Sequence, residues 1–195
     1  PDIDQLLVGS EGTLAIITRA TMRIRPKPDG RVFASYVFKD LKSGLAAIRK
    51  TLQKGATPAA VRLYDEADTA VTLSTLGYGE LSGCLLILVF EAGPRRCDLE
   101  AQMAAEICLA EGGKAKGVGP AELWWKRRYA VSYRQSPILS SDDMILDTIE
   151  VATTWSNLMN LYDTMRSALE KHLTVMAHFS HAYRQGCSIY FTVMG

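Results

Sequence analysis

No two cysteines in the 195-residue sequence stand at C-x-x-C spacing; Cys84, Cys97, Cys108 and Cys187 are scattered singly. Their mostly apolar neighbours point to buried thiols rather than disulfides or a metal site. Histidine is scarce, with His172, His178 and His181 crowded together, so no metal centre is expected without carboxylate help. Neither sign of charge dominates: 22 Lys and Arg stand against 21 Asp and Glu. A general attraction to nucleic acid or to an anionic membrane surface is thereby removed. The longest apolar runs, such as Cys84–Phe90, fall far short of the ~20 residues that span a bilayer. No charged-then-apolar leader opens the sequence, and a cytoplasmic protein is expected. "PDIDQLLVGS" lacks an initiator methionine and "CSIYFTVMG" stops inside a strand-like run, so a piece of a longer protein is expected.

What is present suffices for a core: 48% of residues are apolar, and the length fits one or two domains. Leu14–Arg25 reads as a strand, with Arg19, Thr21, Arg23 and Arg25 on one face and Met22 and Ile24 on the other. Pro26, Pro28 and Gly30 break it into a linker. Arg31–Phe38 is strand-like. Asp40 or Ser43 offers a cap for a helix with Leu45, Ile48 and Leu52 on one stripe, ended by Gly55. Ala60–Leu63 and Cys84–Glu91 read as strands, with a short helix after Asp65. Pro94 suits the first turn of a helix carrying Leu99, Met103, Ile107 and Ala110 on one stripe. Helix is expected over Pro120–Ser132, strand over Met144–Ala152, helix over Ser156–Lys171, and a hairpin from Val175–His181 and Ser188–Met194 around "YRQG". The repeated order strand, helix, strand, strand, helix, strand predicts an α+β fold of ferredoxin-like (split βαβ) units. These form an antiparallel sheet with helices on one face.

Gly9 and Gly12 bracket Ser10 and Glu11. The spacing fits a plain turn before a strand, and it equally fits a backbone that comes close to a ligand and points N–H groups at its oxygens. The longer stretch "LLVGSEGTLAIITRATMRIRPKP" resembles the segment that closes the flavin-binding domain in the vanillyl-alcohol oxidase family, also called the p-cresol methylhydroxylase type. The family form reads G-S-E-G-T-L-G-I-I-T, then a strand and R-x-x-P. The resemblance implies FAD contacts for Gly9, Ser10, Glu11, Gly12, Thr13, Leu14 and Ile16. Ala15 departs from the family glycine. Residues 1–28 would then end the FAD-binding domain, and residues 29–195 would form the C-terminal cap, or substrate, domain.

"PAAVRLYDEAD", "YRQSPIL", "DTIEVATTWS" and "YRQGCSIYFT" are similar in order and spacing to the alkyldihydroxyacetone-phosphate synthase branch of that family. The resemblance implies that Arg134 holds the substrate phosphate, that Tyr190 is the catalytic acid or base near the flavin, and that Arg62 lies near the active site. Arginine suits such a role because its planar fork grips phosphate or carboxylate with two bonds. Read from the residues alone, Arg134 fits a solvated arginine just past a helix, and Tyr190 fits a core tyrosine with its hydroxyl satisfied. Arg62 fits an ion pair with a partner such as Asp65. Tyr183 is a further candidate from the same hairpin. His178 and His181 read as core or surface residues, and Trp124 and Trp125 as packing.

The implied function is that of a flavoenzyme fragment, inactive by itself, whose parent acts on a small phosphorylated or carboxylated substrate held over FAD. Implied partners are that substrate and an N-terminal FAD-binding domain; a homodimer is left open, and no nucleic acid is expected. One alternative is an FAD-dependent D-2-hydroxy acid dehydrogenase acting on lactate or glycolate, with Arg134 or Arg62 clamping a carboxylate. Another is a non-catalytic ferredoxin-like binding module.

Overall fold

The run Cys84–Phe90 must be covered on both faces if it is a strand, because it offers no polar side. In the computed structural model, which describes residues 2–78, 82–129 and 145–195, it forms β3 (Cys84–Ala92), and every residue from Cys84 to Phe90 is buried. Around it the chain runs α1 (Ile3–Leu7), β1 (Gly30–Phe38), α2 (Leu41–Gln53), β2 (Ala60–Tyr64), α3 (Glu66–Leu76), then β3, α4 (Pro94–Ala110), β4 (Lys114–Gly117) and α5 (Gly119–Arg127). It continues through β5 (Leu146–Thr154), α6 (Leu158–Leu169), β6 (Thr174–Phe179) and β7 (Gly186–Met194).

The strands form one seven-stranded sheet in the order β4-β1-β3-β2-β6-β7-β5, with every pairing antiparallel. β1 to β4 have the ferredoxin-like order, and β5, α6, β6 and β7 repeat its first three strands and first helix. The two units join where β2 meets β6, pairing Leu63 with Phe179 and Tyr64 with His178. This is the expected antiparallel α+β architecture.

Period-two alternation sends Tyr36, Phe38, Val61, Leu63, Leu86, Leu88, Ala177, Phe179, Ile189 and Phe191 to one face, where α2, α4 and α6 cover them. Phe38, Phe90, Phe179 and Phe191 are among the largest fully buried side chains there, each contributing roughly 1.5–3 kcal/mol relative to exposure. Asp40 caps α2 by accepting from the Ser43 amide at 2.8 Å, and Leu41, Leu45, Ile48 and Leu52 turn inward. Gly44 lets α2 approach β2 closely, since a Cβ there would stand 2.7 Å from a Leu63 methyl. In α4 the buried stripe is Cys97, Ala104, Ile107 and Cys108, while Leu99 is 67% exposed. The expected stripe was thus out of phase at the first turns, where Arg96 and Glu100 form a surface network with Thr57. All four cysteines are buried free thiols.

Two short helices lie on the opposite face, beyond the expected single layer. α3 and α5 enclose Val37, Tyr64, Leu85, Ile87 and Val89 with Leu73 and Ala121. The Ala121 amide donates to the Ser35 hydroxyl at 3.1 Å and pins the start of α5 to β1.

Residues 14–25 belong to no ladder, which corrects the expected strand. An extended segment needs a neighbouring strand to satisfy its N–H and C=O groups, and none of the described strands lies beside it. Leu14, Ile16, Met22 and Ile24 are 59–88% exposed. No described helix is long and apolar enough to cross a membrane.

Candidate active site

Where β2, β6, β7 and β5 run side by side, one register line crosses them. Tyr64 pairs with His178, His178 with Tyr190, and Tyr190 with Glu150. The apolar phase of each strand faces α6 and its neighbours, so these four side chains and Arg62 share the other face. α3 and α5 cover the first unit's side of that face; among the described residues no helix packs over Tyr190 and Glu150 there.

Arg62 is half-buried, and its described hydrogen-bond partners are Tyr64 and His178 rather than a carboxylate. Its Nε donates to the Tyr64 hydroxyl at 3.0 Å and its Nη2 to His178 Nε2 at 2.7 Å. Its guanidinium carbon lies 5.4 Å from the Tyr64 ring centre and 5.5 Å from that of Trp124, at cation–π range. Burial pushes the Tyr64 phenol up to about 12, with Arg62 pulling the other way, so it remains a neutral acceptor.

Asp65, the ion-pair partner considered for Arg62, is committed elsewhere. It caps α3 through the Asp68 amide at 2.8 Å and accepts from the Tyr162 hydroxyl at 2.9 Å and from Arg166 at 2.8 Å. Burial raises its carboxyl above the ordinary aspartate value even against those donors. Among the described residues no carboxylate is in direct contact with Arg62; the nearest along its hydrogen bonds, Asp68, lies on the far side of His178.

Tyr190 is half-buried and stacks on His178, with ring centres 4.9 Å apart and 23° between the planes. No described group is hydrogen-bonded to its hydroxyl. Beside it, Glu150 accepts from His181 Nδ1 at 3.0 Å, which holds its carboxyl below the ordinary glutamate value. Tyr183 is 63% exposed on the connection from β6 to β7. Trp125 packs edge-on against Phe33 and lies between Arg31 and Arg128, a packing role as expected. Arg134 lies outside the described residues.

The glycine segment stands apart from this row in its bonding, since the hydrogen bonds of residues 2–13 are all local. Gly9, Glu11 and Gly12 have φ of 86°, 51° and 77°, and a Cβ at either glycine would touch nothing within 4 Å. Glycine there supplies backbone shape and open space rather than packing inside the chain. Ser10, Thr13, Leu14 and Ile16 continue this open stretch. Such an uncovered backbone fits one wall of a site for a large planar cofactor. The more evident concavities lie elsewhere; one of about 400 Å³ between α2 and α4 is lined by Lys50, Lys54, Glu106 and Glu111. It is open to solvent and gathers no group that the row uses.

His178 and Asp68 were missed as members of the site. Strand phase does place His178, like Tyr190, opposite the apolar positions Ala177 and Phe179. Its alignment with Tyr64 depends on a pairing of strands more than a hundred residues apart in sequence, which no local pattern encodes.

Residues 27–194 match the family described as FAD linked oxidases, C-terminal domain. An FAD-linked oxidoreductase of Escherichia coli (strain K12), YgcU, is 28% identical over 205 residues, covering 98% of this chain and 41% of that protein. The alkyldihydroxyacetonephosphate synthase of Dictyostelium discoideum is 24% identical, over 95% of this chain and 35% of that protein. A solved alkyldihydroxyacetonephosphate synthase superposes with a TM-score of 0.81 at 24% identity, over all of this chain and 42% of its own. The chain thus spans about two-fifths of the length of these relatives. With the match running through the whole sheet and its helices, the chain belongs to the family of C-terminal domains of FAD-linked oxidases.

Proposed function

We propose that this chain is the substrate-facing cap of an FAD-dependent enzyme resembling alkyldihydroxyacetone-phosphate synthase, acting on a small phosphorylated or carboxylated substrate. Residues 1–28 would complete the flavin-binding domain and residues 29–195 form the cap. The single observation that carries the reading is the Arg62 guanidinium: half-buried, flanked by two aromatic rings, and hydrogen-bonded to Tyr64 and His178 but to no carboxylate among the described residues. A charge in that position needs an anion to compensate its desolvation. A substrate phosphate or carboxylate meets the need, with Arg134 as a second clamp.

FAD, when bound, supplies the electron-accepting centre beside which the substrate carbon reacts. Gly9, Ser10, Glu11, Gly12, Thr13, Leu14 and Ile16 would hold it. The alternating exposed residues of the segment that follows suit a strand paired within the flavin-binding domain. Arg62 binds and orients the anionic end of the substrate. The Tyr64 and Trp124 rings flank the guanidinium and displace part of its water, which strengthens the attraction. Tyr190, with a hydroxyl free of described partners, moves the proton at the carbon beside the substrate carbonyl.

Anaerobic mixing of the purified full-length protein with each substrate class tests this reading. A yellow protein that, given a long-chain alcohol, exchanges it for the acyloxy group of a phosphorylated acyloxy ketone, releasing the fatty acid, with no external electron acceptor, is expected. Flavin bleaching with net turnover by a D-2-hydroxy acid would reassign it as a dehydrogenase, and a colourless protein that binds no FAD would leave only a binding module.

A further inference from the structure

Arginine carries hydrogen-bond donors and no acceptor. The 2.7 Å contact between Arg62 Nη2 and His178 Nε2 therefore needs a lone pair on Nε2. The imidazole proton must then sit on Nδ1, where Asp68 Oδ2 lies 3.2 Å away to accept it. This arrangement is braced from behind. The Asp65 side chain fixes the Asp68 amide in the first turn of α3, and the Thr72 hydroxyl donates to Asp68 Oδ1 at 3.0 Å, leaving Oδ2 to the histidine. The side chains of His178 and Asp68 are 12% and 13% exposed, and the imidazole lies flat against the Tyr190 ring.

The choice of residue has an electrostatic consequence. A carboxylate in place of the imidazole would orient the guanidinium equally well and cancel its charge. Imidazole offers an acceptor without a charge and sets the carboxylate one ring further back, so the field of Arg62 remains available to a ligand.

We propose that His178, held by Asp68, is a positioning residue that orients Arg62 as an uncompensated anion site and fixes it beside the Tyr190 phenol. The proposal rests on the reading of Arg62 as the group that binds the substrate anion, and deepens it. His178 touches no substrate in this role; it acts through Arg62 by its hydrogen bond and through Tyr190 by stacking. The row thereby favours substrates whose anionic group and reacting carbon are a fixed distance apart.

Calorimetric titration of the full-length protein with inorganic phosphate tests it. His178→Gln keeps a neutral acceptor near the place of Nε2 and should bind phosphate about as well as the parent. His178→Phe keeps the ring and loses the acceptor, and should bind about tenfold more weakly. His178→Glu keeps an acceptor and adds a charge, and should weaken binding most, on the order of a hundredfold. Equal affinities in the three variants, or a His178→Glu protein that binds as well as His178→Gln, would overturn the proposal. If Arg62→Ala leaves phosphate affinity unchanged, the anion site itself is refuted, a different failure from that of the positioning role. A readout independent of any variant comes from ¹⁵N-histidine NMR of the parent protein. It should show His178 protonated at Nδ1 and bare at Nε2; the opposite tautomer contradicts the proposal.

Discussion

Phe191 and Tyr190 are neighbours on β7, yet they serve opposite faces of one sheet. Phe191 is fully buried beneath α6, stacked on Tyr162 with ring centres 5.9 Å apart. Tyr190 stands half-buried on the face that no described helix covers at that point, its hydroxyl without a described partner. The first face is apolar over its central strands and closed by three helices. The second sets two tyrosines, a histidine and a glutamate on one register line, with Arg62 two residues along β2 and Asp68 reaching His178 from α3. A sheet needs only one well-packed face to be stable. The other is thereby released to hold groups whose burial would otherwise cost free energy, which is where a site is expected.

Substitutions that separate the two faces put this contrast at risk. Phe191→Ala should cost about 3–5 kcal/mol of folding free energy, read from denaturant unfolding; a loss below 1 kcal/mol would show that this face does not carry the fold. Arg62→Ala and Arg134→Ala should each weaken substrate binding by roughly 2–5 kcal/mol with little change in the unfolding midpoint. Unchanged affinity in both would remove the anion from the account. Asp65→Ala leaves Tyr162 without its acceptor and Arg166 with Glu170 as its only described carboxylate, and uncaps α3. Because the Arg166 side chain is 29% exposed, the cost should be nearer 2–3 kcal/mol than the full value of a buried pair. Tyr190→Phe should alter stability by less than about 1 kcal/mol and leave flavin content intact while slowing the chemical step. Normal turnover would take the phenol out of the mechanism.

The smallest effect is set by pH. Burial pushes the Glu100 carboxyl up, but the Thr57 amide and Arg96 outweigh it, so it lies below the ordinary glutamate value of 4.5. Glu150 is held below 4.5 by His181. A carboxyl with a lowered folded-state value adds stability above its ordinary value and loses it as pH falls through the folded one. Stability should therefore decline on acidification below about 4.5, and Glu100→Gln should flatten that limb. An acid limb of unchanged slope in the variant would show that Glu100 has no share in it.

Much of the covered face is legible from sequence. The spacing of Leu45, Ile48 and Leu52, the cap at Asp40 and the unbroken apolar run of β3 each have a local cause. The strip on the other face is only half legible. Alternation in β6 and β7 places His178 and Tyr190 opposite the core positions, but their meeting with Tyr64 arises from the joining of two units at β2 and β6. The partner of Arg62 is equally non-local, and the nearby Asp65 is drawn away by Arg166 and Tyr162 from α6. Residues 14–25 show the converse limit, since their alternating pattern is plain while no described strand pairs with them. Periodicity reports a preferred conformation, and a ladder needs a second strand.

Arg62, flanked by Trp124 of α5, and Tyr190, over which no described helix packs, would together form the wall of a flavin-facing anion site. A crystal structure of the full-length protein with FAD and a phosphorylated substrate analogue tests it most directly. Phosphate or carboxylate oxygens are expected within hydrogen-bonding distance of the Arg62 guanidinium, with the Tyr190 hydroxyl turned toward the flavin. Arg62 paired instead with a protein carboxylate, and the flavin lying over another part of the sheet, would contradict it.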